Sequence, residues 1–277
     1  MMKINSTAEL SLESFNDLIA ENYIYEITIQ DDKNYPKGKT YDLFNLFAIK
    51  RAIVDFLKDC PQYDSHNPHT EKDIFSYIYT KLALTVEYDD LASKAIHSSP
   101  EFKQLYAADY IDQSAGLDST MISKRALCSG FAETLRNLLA EKGIEAKYVS
   151  GTSKPNPTTG ETSSHAWNQV KLDGEWFNCD VTHDQKFIKE GLVAPNFLKS
   201  NVQFSNYTKY PIRITNKIEP ATHSISTHDQ QILIGNHYNH ILKEITAKTA
   251  ETDKKQPGFF KSILKKLHII KSTEPEK

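Results

Sequence analysis

Residues 165–182 read HAWNQVKLDGEWFNCDVT. Two strand-like runs, 165–172 and 175–182, flank the dipeptide Asp173-Gly174. Asp-Gly between two such runs is a strong short-range signal of a β-hairpin with a two-residue turn. The segment therefore predicts an antiparallel hairpin whose strands meet at this dipeptide.

The turn also fixes how the two strands pair. A two-residue loop makes Leu172 face Glu175 and carries the pairing outward to His165 opposite Thr182. Alternate side chains of a strand point to opposite sides, so the hairpin has two faces. The apolar face, which we expect to pack on the core, holds Ala166, Val170, Leu172, Phe177, Cys179 and Val181. The polar and aromatic face, which we expect to lie off the core, holds His165, Trp167, Gln169, Asp180 and Thr182.

His165 and Asp180 are diagonal neighbours on the polar face. Diagonal positions of paired strands lie roughly 7–8 Å apart, within reach of a hydrogen bond between an imidazole and a carboxylate. Such a carboxylate fixes the tautomer of the ring and stabilises its cation. Cys179 points to the opposite face, so we expect it to be a core thiol.

A strong helical pattern lies upstream, over residues 129–142, and Gly143 stands where a C-terminal glycine cap belongs. Cys128 directly precedes this helix. The start of a helix offers free N–H groups and a partial positive charge, which stabilise a thiolate, the reactive form of cysteine. Ser129 and Gly130 are small and would let a substrate approach. Cys128, His165 and Asp180 together fit a nucleophile, its base and an orienting group.

Other readings of the cysteines and histidines are weaker. Three cysteines without a C-x-x-C pair form neither a disulfide framework nor a zinc knuckle, and a lone cysteine is more often a buried thiol than a nucleophile. His237 and His240 lack the further ligands that a metal site needs, and no calcium loop is present. His183 follows the predicted strand, so we do not take it as the base. The sequence implies no metal and no cofactor.

Composition and charge limit the class of protein. The 277 residues are 39% apolar and 25% charged, which excludes collagen-like and wholly disordered chains. A net charge of −3 argues against nucleic-acid binding. The chain has no run of apolar residues that could span a membrane, and its start lacks the apolar region of a secretory signal. We therefore expect a cytoplasmic protein, although delivery as a secreted effector stays open.

The rest of the chain divides into three predicted regions. Residues 1–110 form a helical N-terminal region, with helices expected over 11–23, 41–57, from Thr70 onward, and after the break at 98–100 as far as Tyr110. Residues 111–250 form the core, with a strand over 144–149, a mobile polar loop over 151–164 and a helix over 232–245. Residues 251–277 form a linker and a tail.

The tail differs from the remainder in charge. It holds seven lysines and four acids, a local charge of +3. Residues 259–271 predict a basic amphipathic helix after a linker break at 256–258. Such a helix suits peripheral contact with an anionic membrane or a partner protein, or packing back on the domain, and we hold these readings as equal.

Four blocks of the chain resemble the core of the transglutaminase-like superfamily. They are LCSGFAETLRNLL at 127–139, GIEAKYVSG at 143–151, HAWNQV at 165–170 and GEWFNCDVT at 174–182. Asn196–Ser200 and the pair Tyr88-Asp89 are weaker matches to flanking segments. The chain departs from the family at Ala126, where glycine is usual, and at Val181, where proline is common. Neither change removes a chemical group.

The resemblance implies an α+β fold with a papain-like core and the helical N-terminal part packed against an antiparallel sheet. It also implies a catalytic triad of Cys128, His165 and Asp180. Cys128 would attack an amide carbonyl and form a thioester that water or an amine resolves. The oxyanion would be held by the backbone N–H of Cys128 and a second donor, for which Gln113 is one candidate. Residues 1–110 are not explained by the resemblance.

Three functions remain open at this stage. The first is a cysteine-dependent acyl-transfer enzyme that acts on glutamine side chains or peptide bonds of a protein or peptide substrate, as a transglutaminase, a deamidase or a protease. The second is a non-catalytic transglutaminase-like interaction module held by its tail. The third is a secreted effector that deamidates a host signalling protein, which rests on less.

Overall fold

A computed structural model describes residues 2–4, 26–29, 40–64, 66, 70–96, 114–153, 163–205, 212–214 and 217–255. The helices in these ranges are α1 (Leu43–Leu57), α2 (Thr70–Thr85), α3 (Asp90–Ile96), α4 (Cys128–Ala140), α5 (Val181–Lys189) and α6 (Thr227–Lys255), with a π-helical turn at Ser119–Ser123. The strands are β1 (Met2–Ile4), β2 (Glu26–Ile29), β3 (Thr40–Asp42), β4 (Glu87–Tyr88), β5 (Arg125–Ala126), β6 (Ala146–Ser153), β7 (Ser164–Leu172), β8 (Glu175–Cys179) and β9 (Ile212–Ile214).

The strands form three sheets. The largest has the order β8-β7-β6-β9 and is antiparallel throughout. A second sheet pairs β4 with β5 in parallel, and a third has the order β1-β2-β3. Helices and an antiparallel sheet in one chain confirm the predicted α+β class.

The β7–β8 hairpin has the predicted turn and register. Leu172 pairs with Glu175, and the ladder continues in step as far as Asn168 opposite Cys179. Asp173 has a φ of 52° and Gly174 a φ of 84°. Both turn residues thus adopt the left-handed backbone that Asp-Gly tolerates and that matches the twist of the strands.

The predicted end of the second strand is wrong. β8 stops at Cys179, and Asp180 turns the chain with φ −142° and ψ 90° into α5, so Val181 and Thr182 are helical. The Asp180 carboxylate accepts a hydrogen bond from the backbone N–H of His183, which caps the new helix. This side-chain cap outweighs the preference of Val and Thr for strands.

The main hydrophobic core surrounds α2. Twelve residues of this helix are buried, and it packs against α4, α5 and α6. The apolar face of the hairpin joins the same core through Val170, Leu172, Phe177 and Cys179. The helical N-terminal part therefore lies against the sheet, as predicted.

The polar face of the hairpin is also buried, which the sequence did not indicate. Trp167 is 1% exposed and forms a small second cluster with Val149 and Phe204. Gln169 is fully buried and exchanges hydrogen bonds with the backbone of Glu219, which lies 50 residues away. Side chains from the chain after the hairpin cover this face.

Several other predictions can be compared with the structure. The glycine cap of α4 is confirmed, because Gly143 has a φ of 73° and Ile144 N–H bonds to Leu139 O at 3.0 Å. Thr70 begins α2, and its hydroxyl donates to Asp64 O at 3.0 Å. The predicted helix over 232–245 lies within α6.

Other predictions fall on residues outside the described ranges. These are the helices over 11–23 and up to Tyr110, the central part of the loop 151–164, residue Gln113 and the tail 256–277. Of the helices that the structure describes, none combines the length and the apolar composition needed to cross a bilayer.

Candidate active site

Cys128 is the first residue of α4 and is half-buried. Leu127 precedes it with extended backbone (φ −82°, ψ 175°) and has no side-chain cap. The first hydrogen bond of the helix runs from Phe131 N to Leu127 O at 3.0 Å. The N–H groups of the first turn therefore project from the helix start beside the sulfur, where they can stabilise negative charge.

Asp89 holds the segment that leads into Cys128. Its carboxylate accepts hydrogen bonds from Ser114 Oγ at 2.8 Å and from Ala92 N at 2.9 Å, and its own N–H bonds to Ala126 O at 3.0 Å. Ser114 O in turn accepts from Leu127 N at 2.8 Å. This buried carboxylate thus fixes both sides of the turn that presents the thiol, which gives the Tyr88-Asp89 pair a structural role.

Gly130 serves packing rather than access for a substrate. The residue is buried, and a Cβ atom there would lie 2.9 Å from Ser114 O and 2.9 Å from Thr120 Oγ1. Both distances are shorter than a carbon tolerates. Glycine therefore lets the segment around Ser114 approach α4, and our expectation for Gly130 is wrong.

His165 lies on β7, and its Nε2 atom is 2.7 Å from Asp180 Oδ2. The contact forms because Asp180 turns out of β8 at the N-terminus of α5, not because it continues the strand. Burial disfavours the charged imidazole, but the charge and hydrogen bond of Asp180, with those of Cys128, raise the pKa of His165 to about 10. Burial also opposes ionisation of Asp180, yet His165 and His183 hold the pKa of that carboxyl well below its usual range.

Cys128 lies close enough to the same imidazole for its charge to raise the pKa of His165. His165 Nε2 is occupied by Asp180, so Nδ1 is the ring nitrogen that remains for the sulfur. The structure therefore brings together the three side chains that the sequence singled out. Asn168 fixes their relative placement, because its Nδ2 donates to Ala132 O of α4 at 2.9 Å and so joins the strand of His165 to the helix of Cys128.

Two residues missed by the sequence reasoning contact the His165 ring. His183 stacks on it with ring centroids 4.4 Å apart, and Trp167 stacks at 5.9 Å. His183 Nδ1 also lies 3.0 Å from Asp180 Oδ2. A sequence signal for His183 exists, because position 183 is three residues after Asp180 and a helix N-cap brings those two residues together.

A metal ion fits this cluster poorly, although one ligand atom each from His165, Asp180 and His183 lies within 4.8 Å of the others. The two imidazole planes are nearly parallel, at 14°. His165 Nε2 and His183 Nδ1 lie 2.7 and 3.0 Å from Asp180 Oδ2, which are hydrogen-bonding distances between the ligand atoms themselves. The arrangement suits two rings that share a carboxylate through protons.

Tyr88 and Tyr148 lie near enough to Cys128 to sense its charge. Burial, together with the charges of Cys128 and Glu133, raises the pKa of Tyr148 to about 12. Burial also raises the pKa of Tyr88, although its hydrogen bond with Ser93 acts to lower it. Both phenols are therefore neutral near pH 7 and add no negative charge beside the sulfur.

The remaining candidates lie elsewhere. Cys179 is buried in the core, and its pKa is raised well above the usual value by burial and by the charges of Asp180 and Asp184. Cys60 is also buried. His237 of α6 bonds through Nε2 to Asp73 Oδ1 at 2.8 Å. Cys128 is thus the half-buried thiol among the three cysteines of the chain.

Part of the chain is similar to a known protein family. Residues 62–181 match the sequence model of the transglutaminase-like superfamily. An uncharacterized protein from Mycobacterium leprae (strain TN) is 33% identical over 91 residues, which are 30% of this chain and 32% of that protein. The chain therefore spans about a third of the length of this curated relative.

Two solved structures are similar to parts of the chain. One is a crystal structure of a TGase, with 19% identity, a TM-score of 0.37, and coverage of 61% of this chain and 37% of that chain. The other is a candidate cysteine protease from Cytophaga hutchinsonii, with 15% identity, a TM-score of 0.31, and coverage of 64% and 55%.

Proposed function

Residues 62–181 of this chain form a transglutaminase-like core, and from that premise we propose that the protein is a cysteine-dependent acyl-transfer enzyme. One observation carries the proposal. The His165 imidazole bonds to the Asp180 carboxylate at 2.7 Å and lies near the Cys128 thiol, which stands at the start of a helix and whose charge raises the pKa of His165. A nucleophile, a base and an orienting acid in this order are what thiol catalysis requires.

The chemistry follows from the protonation states that the geometry favours. Asp180 is ionised and holds Nε2–H of His165, so the ring can take the thiol proton at Nδ1 and form an imidazolium beside a thiolate. The sulfur attacks the carbonyl carbon of an amide, and a C–S bond forms as the oxygen gains charge. The backbone N–H of Cys128 is placed to stabilise that oxyanion.

The tetrahedral intermediate then collapses. The C–N bond breaks, and the leaving nitrogen takes the proton from the His165 imidazolium, which leaves a thioester on Cys128. Water or an amine, deprotonated by His165, attacks the thioester and releases the thiol. Water gives deamidation of a glutamine or cleavage of a peptide bond, whereas an amine gives crosslinking. We propose a protein or peptide substrate that presents either kind of amide.

The first experiment measures the reactivity of the thiol in the full chain. Iodoacetamide near pH 7 should alkylate Cys128 at least about tenfold faster than free cysteine, because a helix N-terminus and a neighbouring histidine raise the reactivity of a thiol. Cys128→Ala should lose this fast phase, and Cys60→Ala, a matched change at a buried thiol, should keep it. A rate no faster than free cysteine would favour the non-catalytic interaction module instead.

The second experiment identifies the reaction. Candidate proteins are incubated with the wild type or with Cys128→Ala and analysed by mass spectrometry. Conversion of glutamine to glutamate, loss of a backbone bond, or an isopeptide would each name one outcome of the common thioester step. Products that appear equally with Cys128→Ala would contradict the proposed function.

A further inference from the structure

His183 makes two separate contacts with the carboxylate of Asp180. Its backbone N–H donates to Oδ1 at 3.1 Å, and its Nδ1 lies 3.0 Å from Oδ2. Its ring also stacks on the ring of His165, with centroids 4.4 Å apart and planes at 14°. One residue therefore touches both oxygens of the acid and the face of the base.

These contacts fix the plane of the carboxylate. A carboxylate held at one oxygen can still rotate about its Cβ–Cγ bond, whereas one held at both oxygens cannot. An ionised carboxylate only accepts hydrogen bonds, so Nδ1 of His183 carries the hydrogen in this pair. Oδ2 consequently stays in place for His165 Nε2 through interactions that do not involve His165 itself.

We propose that His183 is a positioning residue, which holds Asp180 and the His165 ring in the orientation that keeps the Cys128 thiol reactive. The inference rests on the proposed function and adds a fourth side chain to it. His183 is not assigned as the base, because it is the pKa of His165 that the charge of Cys128 raises.

The chain offers a sharp set of variants. In His183→Asn the side-chain N–H₂ occupies nearly the place of Nδ1–H and keeps the donor to Oδ2. His183→Gln carries its donor one bond further, and His183→Ala removes it, while all three retain the backbone N–H to Oδ1. His237→Ala is a matched control, because it deletes another histidine bonded to a carboxylate, Asp73, on a different helix.

The measurement is the second-order rate of Cys128 alkylation by iodoacetamide, with the melting temperature of each variant recorded beside it. Removing a residue that orients a functional group typically lowers activity by 10–100-fold, so we expect about a tenfold slower rate for His183→Ala and His183→Gln. His183→Asn should return to within about threefold of the wild type by retaining the donor, and His237→Ala should match the wild type.

The outcomes separate the two proposals. Wild-type rates in all three His183 variants would overturn the positioning role and leave the proposed function intact. Equal slowing in all three would also overturn it, since the donor to Oδ2 would then make no difference. A wild-type thiol no faster than free cysteine would overturn the proposed function, and this inference with it.

Discussion

The two faces of the β7–β8 hairpin are both buried, but they are held in different ways. The face that joins the main core is apolar, and contact area stabilises it. On the other face Gln169 donates to Asn178 Oδ1 at 3.1 Å and to Glu219 O at 2.9 Å, while Asn178 donates to Asn201 Oδ1 at 2.8 Å. Burial alone therefore does not distinguish a core from a site, whereas directional partners do.

The difference has a chemical consequence at the open end of the hairpin. Hydrogen bonds are directional, so a face held by them can fix a ring such as His165 at one distance and one angle. Apolar contacts impose no such geometry. A loss of volume on the apolar face leaves a cavity, which lowers stability but removes no directional contact. Changes on the two faces should therefore separate reactivity from stability.

The change with the largest expected effect is Asp180→Asn on the hydrogen-bonded side. The amide still offers an oxygen to cap α5 but no longer stabilises the imidazolium of His165, so the rate of acyl transfer should fall about 10²–10⁴-fold. Turnover, or iodoacetamide alkylation of Cys128 where no substrate is in hand, measures it. A fall of less than about threefold would show that Asp180 only caps the helix.

A change on the apolar face should lower stability and leave reactivity unchanged. Phe177 is 2% exposed in the core, and Phe177→Ala should lower the free energy of unfolding by about 3–5 kcal/mol, because a cavity remains where the ring was. Urea denaturation measures this change. Below the melting transition the alkylation rate of Cys128 should stay within about twofold of the wild type, since the ring contacts none of the reacting groups. Parallel losses of stability and reactivity would erase the distinction between the faces.

A third prediction concerns the pH dependence of stability. His165 has a pKa raised to about 10 in the folded chain, so its stabilising charge is fully present below the unfolded value of about 6.5 and is lost as the pH rises towards 10. Asp180 has a lowered pKa, so its contribution is present above the unfolded value of about 3.9 and is lost in acid. The pair should therefore stabilise the protein most between about pH 4.5 and 6.5.

Melting temperatures of the wild type and Asp180→Asn test this window. The gap between them should correspond to roughly 2 kcal/mol at pH 5.5 and should shrink by pH 9.5. Phe177→Ala is the control, because a cavity does not titrate and its deficit should be the same at both values. A gap that widens at high pH would mean that His165 is neutral in the folded protein.

Local chemistry explains what the sequence could predict. The register of the hairpin could be predicted from the two-residue turn at Asp173 and Gly174, and the start of α4 from a pattern within one helix. The placement of Cys128 and His165 therefore followed from nearby residues. The cap at Asp180 was not predicted, because Val181 and Thr182 resemble a strand. The capped helix is also held from a distance, by Asp184 of α5 accepting from Asn196 N at 2.9 Å.

The burial of the polar face was missed for a similar reason. Phe204 covers Trp167, and Glu219 covers Gln169, from positions that no pattern within the hairpin reveals. A polar side chain in a strand normally indicates a face exposed to solvent. Here it indicates a hydrogen-bond partner from a later segment of the chain. His183 was not predicted as a site residue because we placed it after the end of a strand. In the structure Asp180 is a helix N-cap, and the residue three positions after an N-cap lies next to the capping side chain.

The smallest effect is expected at the turn that both faces share. Gly174 has a φ of 84°, and no atom lies within 4 Å of the place where a Cβ would stand. An alanine there would clash with nothing but would strain the backbone. Gly174→Ala should therefore lower the free energy of unfolding by only about 1 kcal/mol. Asp173→Asn is the matched change, because asparagine tolerates the left-handed backbone and loses only the partly exposed ion pair with Lys72. Its free energy of unfolding should fall by less than about 1 kcal/mol. Urea denaturation should rank the alanine variant below the asparagine variant, with the alkylation rate of Cys128 unchanged in both. The register is set by the length of the turn and by the two buried faces together, so a strained turn should weaken the hairpin without moving His165. A loss of Cys128 reactivity in Gly174→Ala would show instead that the turn, and not the buried partners on each face, holds the strands in step.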